Sequence, residues 1–224
     1  MTIQLLVSDM AGTTVRDDGI VEAAFTDAMA SQGIPSDHAE FPPALKVVRD
    51  TMGMSKIVVF RQILGDESRA QAATRAFEEA IAQRITAGEV TAIPGAEAAF
   101  ATLREAGVKI ALTTGFGDST RELLLDHLGW RDLVDLSLSP AERLRGRPYP
   151  DLALAALIRL RIDGVRNLAT VGDTQSDLES GWRAGASVVA GVLTGAHDRA
   201  TLEAAPHTHV LESIAELPAV IAAA

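Results

Sequence analysis

Short apolar runs that alternate with helical patterns constrain the fold of this chain more than any other feature. Strand-like runs fall at 4–10, 108–114, 133–138, 168–173, 187–192 and 209–211, and helical patterns between them cover 95–106, 119–128, 150–161, 176–184 and 213–222. Strands that alternate with helices predict an α/β fold built on a parallel, doubly wound sheet. Proline near a helix start, glycine after its end and serine or aspartate at the N-cap mark the helix limits.

The stretch from 15 to 88 breaks this alternation. It reads as helices at 21–32, 44–64 (interrupted near Gly53) and 68–86, with no strand between them. The expected organisation is therefore a core of 1–14 and 89–224 with an inserted all-helical cap at 15–88. A cap of this kind excludes water and completes a site on closing. With 224 residues, 47% of them apolar, the chain can bury one substantial domain plus a smaller insert. No apolar run approaches the roughly 20 residues of a membrane span. No basic and apolar leader precedes the first strand, so the expected location is cytoplasmic. Cysteine is absent, which excludes disulfide and thiolate chemistry. A formal charge of −10 argues against nonspecific nucleic-acid binding. It also requires that an anionic substrate meet a locally positive site.

Four motifs stand at expected strand ends. Asp9-Met10-Ala11-Gly12-Thr13-Thr14 places a carboxylate and a tight turn at the carboxyl edge of the sheet, where open α/β sheets keep their reactive sites. Leu112-Thr113-Thr114-Gly115 offers a hydroxyl and an amide to an anionic oxygen, and Arg145-Gly146-Arg147-Pro148-Tyr149-Pro150 supplies a guanidinium before a helix. Val171-Gly172-Asp173-Thr174-Gln175-Ser176-Asp177 carries two more carboxylates. Together these are the parts of phosphoryl transfer through an aspartyl intermediate. Asp9 attacks in line, and a hard cation on oxygen ligands neutralises the phosphoryl charge. Asp9 and Asp173 are the expected Mg²⁺ ligands, with Asp177 behind them or reached through water. Thr114, the Gly115 amide and Arg147 would hold the remaining oxygens.

The chain resembles the haloacid dehalogenase superfamily over nearly its whole length, and within it the phosphonatase (phosphonoacetaldehyde hydrolase)-like branch. Three details carry the narrower likeness. Ala11 stands where phosphatases of the superfamily have a second aspartate. Gly146-Arg147-Pro148 supplies arginine where most relatives use lysine. Met52-Gly53-Met54-Ser55-Lys56 resembles the cap segment that bears the Schiff-base lysine. The resemblance implies a Rossmann-like core with a helical cap and catalytic roles for Asp9, Lys56, Thr114 and Arg147. It implies substrate contacts from Ala11, Gly12, Met52, Gly115 and Phe116, and Mg²⁺ on Asp9, Ala11, Asp173 and Asp177. The implied partner is a small phosphonate or phosphorylated substrate, and a homodimer paired through the caps is expected. Two features depart from the branch. Its cap carries a histidine three residues after the lysine that assists proton movements around the imine, and Val59 stands there in this chain. The chain is also shorter than typical phosphonatases.

Alanine at position 11 and lysine at position 56 make joint chemical sense. A phosphate monoester releases an alkoxide and benefits from a general acid, which Ala11 cannot be. Cleavage of a carbon–phosphorus bond releases a carbanion instead, and an iminium formed by Lys56 with a neighbouring aldehyde accepts those electrons. Three readings follow: a Mg²⁺-dependent hydrolase of phosphonoacetaldehyde or a close 2-oxoalkyl phosphonate, a phosphatase of the same fold acting on an activated phosphate, or a non-catalytic protein that binds phosphate-like ligands. Lys56 is either the Schiff-base amine or only a contact to the leaving group. Arg49 and Arg61 lie near it in sequence, on helical spacing that turns them away. Among the other residues, Thr13 is expected to bond within its turn, and Asp17 and Asp18 to form a solvated hinge. Met10 is expected to face the cap and Phe116 to pack against it. Trp130 and Trp182 should pack against helices, and the five histidines lack the spacing of a zinc site.

Overall fold

A computed structural model describes residues 2–141 and 143–224. Met1, counted with the core above, lies outside the described residues. Strand β1 (Leu5–Asp9) is buried along its whole length, as a strand covered on both faces of a parallel sheet must be. Its side chains alternate between the two faces. Leu6 joins the apolar cluster on one side, while Leu5 and Val7 join that on the other. Each such burial contributes about 1.5–3 kcal/mol. With β2 (Lys109–Thr113), β3 (Leu136–Leu138), β4 (Leu168–Gly172), β5 (Val188–Val192) and β6 (His209–Leu211) it forms a six-stranded parallel sheet in the order β3-β2-β1-β4-β5-β6. The chain builds outward from β1 to one side, then returns to β4 on the other. The carboxyl end of β1 is thus the switch point where such sheets open a crevice. Asp9 is level there with Thr113 of β2, and Asp173 directly follows β4.

Helices α1 (Ile20–Ser31), α2 (Phe41–Asp50), α3 (Lys56–Leu64) and α4 (Glu67–Thr86) follow β1 with no strand between them. The two connections to the sheet run side by side, with Arg16 N–H donating to Thr91 O (2.9 Å) and Ile93 N–H to Thr14 O (2.8 Å). Helix α2 starts earlier than position 44 because Pro42 and Pro43 occupy its first turn, where no amide donor is required. The Asp66 side chain accepts Arg69 N–H (2.8 Å) and caps α4. A run of rings crosses the cap: Phe41, Phe25, Phe60, Phe77 and finally Phe116 of the core, with successive centroids 5.9, 5.8, 6.2 and 6.0 Å apart. Phe116 therefore packs against the cap, as its position suggests.

The remaining helices are α5 (Ala96–Glu105), α6 (Asp118–Leu128), α7 (Asp151–Arg159), α8 (Gln175–Ala184), α9 (Arg199–Glu203) and α10 (Leu217–Ala222). Three differences from the sequence reading have physical causes. Edge strand β3 is shorter than 133–138, because Leu133 N–H turns back to Trp130 O (3.0 Å) instead of joining the ladder. The segment 213–222 divides into a 3₁₀ turn (Ile214–Glu216) and α10, with Pro218 in the first helical turn. Short α9 has no apolar period to announce it and is held by Asp198, which accepts Thr201 N–H (2.8 Å). Trp130 is buried edge-on against Phe100, but Trp182 is 55% exposed, because α8 turns that face away from the sheet. Among the described residues, no helix is long and apolar enough to cross a membrane.

Candidate active site

The turn after β1 is built on one carbonyl. Met10 O accepts the N–H groups of Thr13, Thr14 and Val15 at 3.2, 2.9 and 2.8 Å. Gly12 at φ +83° permits this curl, and a Cβ there would strike the Asp173 carboxylate. Thr14, not Thr13, closes the turn with its hydroxyl, donating to Asp9 O (3.0 Å). Thr13 bonds within its turn as expected, its hydroxyl 3.4 Å from Asp9 Oδ2, and the same hydroxyl also reaches Asp173 Oδ1 at 3.0 Å. Asp173 Oδ2 accepts Ala196 N–H (2.7 Å) from the loop after β5. Asp177 forms a reciprocal capping box with Thr174 at the start of α8.

One oxygen each from Asp9, Asp173 and Asp177 falls in a group whose members all lie within 4.8 Å of one another, and all three residues are buried. Arg147 joins them, with Nη1 2.6 Å from Asp9 Oδ1 and also paired to Asp177 Oδ1. Its Nε is buried without a partner among the described residues. Burial pushes the Asp9 carboxyl up to about 6 against the pull of Arg147, with Asp177 adding to the rise. Burial, then Asp9 and Asp177, hold Asp173 well above the ordinary carboxylate range. Three carboxylates served by one guanidinium form an all-oxygen donor set with unmet negative charge, which fits a hard cation such as Mg²⁺. Ala11 has no ligating side chain, so its part in such a site is limited to its main-chain carbonyl.

Lys56 begins α3 and is 8% exposed. It faces the same cavity, of about 30 Å³, as Asp9, Ala11, Met52, Thr114, Gly115, Phe116, Arg147 and Asp173. Gly12 does not line this cavity but lies against the Asp173 carboxylate. Burial, followed by the charge of Arg147, lowers the Lys56 ammonium to about 8. Its Nζ stands 5.6 Å from the centroid of the Phe77 ring. Arg49 and Arg61 do not reach it, since they are bound to Glu22 (2.6 and 2.9 Å) and Glu67 (2.6 and 2.7 Å). Val59 is buried in the apolar core and replaces histidine with packing. His197 stands at an adjoining pocket, its Nδ1 accepting Gln175 N–H (3.0 Å).

Two glycines let the cap reach the sheet edge. A Cβ on Gly115 would lie 2.6 Å from Met54 O, and one on Gly53 (φ +83°) would lie 2.5 Å from Thr174 Oγ1. Glu78 of α4 completes the contact. It accepts Gly117 N–H (2.7 Å) and the Thr120 hydroxyl, capping α6, whose own N-cap glycine has no side chain to offer. Thr114 is buried beside this contact, its hydroxyl accepting Phe116 N–H (3.2 Å). Sequence reasoning passed over Glu78, the contact of Thr13 with Asp173 and the place of Asp17 at the cavity. Asp17 corrects the expectation of a solvated hinge: Asp18 is exposed, but Asp17 is partly buried and lines the cavity.

Gly12→Ala is expected to cost ~1–2 kcal/mol for the left-handed backbone alone, and to displace Asp173. Calorimetric titration should show that the variant loses the Mg²⁺ binding of the parent protein. Unchanged Mg²⁺ affinity in a folded variant would contradict this picture of the carboxylate group.

The family model for hydrolases of the haloacid dehalogenase-like type matches residues 3–185. A phosphonoacetaldehyde hydrolase of Bacillus cereus is 31% identical over 211 residues, covering 88% of this chain and 78% of that protein. A probable phosphatase IndB of Dickeya dadantii (strain 3937) is 26% identical over 217 residues, covering 95% and 91%. The crystal structure of a phosphonoacetaldehyde hydrolase-like protein from Oleispira antarctica has the same fold, with a TM-score of 0.81 at 24% identity over 100% of this chain and 92% of that one. The family match runs from before β1 to just beyond α8 and takes in all four motifs. The chain belongs to the haloacid dehalogenase-like hydrolases.

Proposed function

We propose that this hydrolase cleaves the carbon–phosphorus bond of phosphonoacetaldehyde or a close 2-oxoalkyl phosphonate. One observation carries this reading. A buried amine lowered to about 8 (Lys56) and a buried carboxylate (Asp9) line one small cavity, and at Ala11 no side chain can protonate an alkoxide. The Lys56 shift corresponds to about 3 kcal/mol in favour of the neutral amine. The neutral amine is the form that adds to an aldehyde.

Asp9, Asp173 and Asp177, with the Ala11 carbonyl, would hold Mg²⁺, which when bound supplies charge neutralisation for the phosphonate and for the carboxylates around it. The chain's own residues do the rest. Lys56 adds to the aldehyde carbon, and loss of water gives an iminium. Asp9 attacks phosphorus as the C–P electron pair moves into the iminium, leaving an enamine on Lys56 and a phosphoryl group on Asp9. Arg147, whose Nε lacks a partner among the described residues, would donate to a phosphonate oxygen, as would the Thr114 hydroxyl and the Gly115 amide. Protonation and hydrolysis of the enamine release acetaldehyde, and water cleaves the aspartyl phosphate. Met52, Phe116 and the Phe77 ring below Lys56 keep bulk water from the imine.

A second reading retains Asp9 and the cation but takes an acyl phosphate, whose leaving group needs no proton. The packing of Val59 where the branch has histidine favours it. Borohydride added with phosphonoacetaldehyde should trap an adduct on Lys56. The trapping rate should climb with pH and level off above about 8, as the amine loses its proton. Lys56→Met should form no adduct. Absence of any adduct in the parent protein, with rapid turnover of an acyl phosphate, selects the second reading. Ala11→Asp should raise phosphomonoester hydrolysis by roughly a hundredfold, the usual worth of a placed general acid. An unchanged rate would show that the missing proton donor is not what restricts the substrate.

A further inference from the structure

Asp17 occupies a position for which the reaction above names no residue. It lies in the connection between β1 and α1 and lines the cavity together with Lys56, Asp9 and Phe116. Its Oδ1 accepts Val21 N–H (2.9 Å) and so ties the first turn of α1. Among the described residues its other carboxylate oxygen has no hydrogen bond, and no direct ion pair joins it to Lys56. Of the carboxylates acting on the Lys56 ammonium, Asp17 exerts the strongest pull, ahead of Asp9 and Glu78. Asp9 and Glu78 are committed elsewhere, Asp9 to the phosphoryl group and Glu78 to the start of α6. The two places where a proton carrier stands in related enzymes hold Ala11 and Val59, neither of which can carry one.

We propose that Asp17 is the acid–base catalyst of imine formation, moving protons between Lys56 and the substrate's carbonyl oxygen through its unbonded carboxylate oxygen. This rests on the Schiff-base reading and adds to it the group that carries the proton. The Lys56 ammonium gives a proton, relayed by one water, to the Asp17 carboxylate, and the free amine adds to the aldehyde carbon. The proton released from nitrogen moves to oxygen, giving a neutral carbinolamine. The carbinolamine hydroxyl then takes the proton from Asp17 and departs as water, the C=N bond forms, and Asp17 is again ionised. After carbon–phosphorus cleavage and protonation of the enamine, the sequence runs backwards. Asp17 takes a proton from the water that adds to the product iminium. Once acetaldehyde has left, it returns that proton to Lys56. Burial raises the Asp17 carboxyl above its ordinary value, the direction that favours holding a proton. Its single bonded oxygen anchors the side chain while the other stays available.

Asp17→Asn separates the two roles, since its amide oxygen still accepts Val21 N–H but the side chain carries no acidic proton. Borohydride trapping with phosphonoacetaldehyde should slow by roughly a hundredfold in this variant, with the melting temperature close to that of the parent. In Asp17→Ser, whose hydroxyl can also cap α1, added formate should restore part of the trapping rate, an effect that a purely structural role would not produce. Trapping at the parent rate in Asp17→Asn overturns the assignment while leaving the Schiff-base chemistry standing. If the parent protein forms no adduct, the Schiff-base reading fails, and the role of Asp17 is overturned with it.

Discussion

Three carboxylates crowded into one buried site, with a single guanidinium among them, set the terms for the rest of this molecule. Removing charge from water is expensive, and Arg147 can pair with only part of the group. The structure meets this cost with hydrogen bonds from main-chain and hydroxyl donors: Ala196 N–H and Thr13 to Asp173, and Thr174 to Asp177. These partners fix each carboxylate but do not neutralise it, so burial and mutual repulsion raise Asp9 to about 6 and Asp173 well above the ordinary carboxylate range. A cation held by these oxygens would oppose that rise and keep Asp9 ionised. The same crowding lowers Lys56 from the other side, through burial and the charge of Arg147.

Close approach of the cap makes this electrostatic arrangement possible. Gly53 and Gly115 remove the side chains that would hold the segment around Met54 away from the sheet edge, and Gly12 and Gly195 do the same around Asp173. Glu78 fastens α4 to the start of α6, and the Phe77–Phe116 contact lies beside it. Water is kept from Lys56 by this closure. The amine's lowered proton affinity thus follows from its burial between these helices and the sheet edge, with the charge of Arg147 adding to it.

Much of this was legible in the chain because burial leaves a period. Central strands β1, β4 and β5 are covered on both faces and show as short, mostly apolar runs. The absence of such runs between 15 and 88 marked the helices that follow β1. Asp9, Thr114 and Asp173 were recognisable because each stands at the carboxyl end of a strand, a position that sequence specifies directly. Arg147 and Lys56 were legible through motif and resemblance, since no strand carries them. The roles of Thr13, Asp17 and Glu78 depend on which way a side chain points after the chain has folded back, over 160 residues in the case of Thr13 and Asp173. Their local surroundings read as turn, hinge and helix surface. Trp182 misleads for the same reason, since a large ring suggests packing and only the orientation of α8 shows it exposed.

The account as a whole requires that Asp9 take the phosphoryl group directly from carbon. Acid quenching during a single turnover of phosphonoacetaldehyde, followed by peptide mapping, tests this. A phosphoryl group should appear on Asp9 when Mg²⁺ is present and be lacking when the cation is removed by a chelator. Steady release of phosphate with Asp9 unmodified at every time point would contradict it.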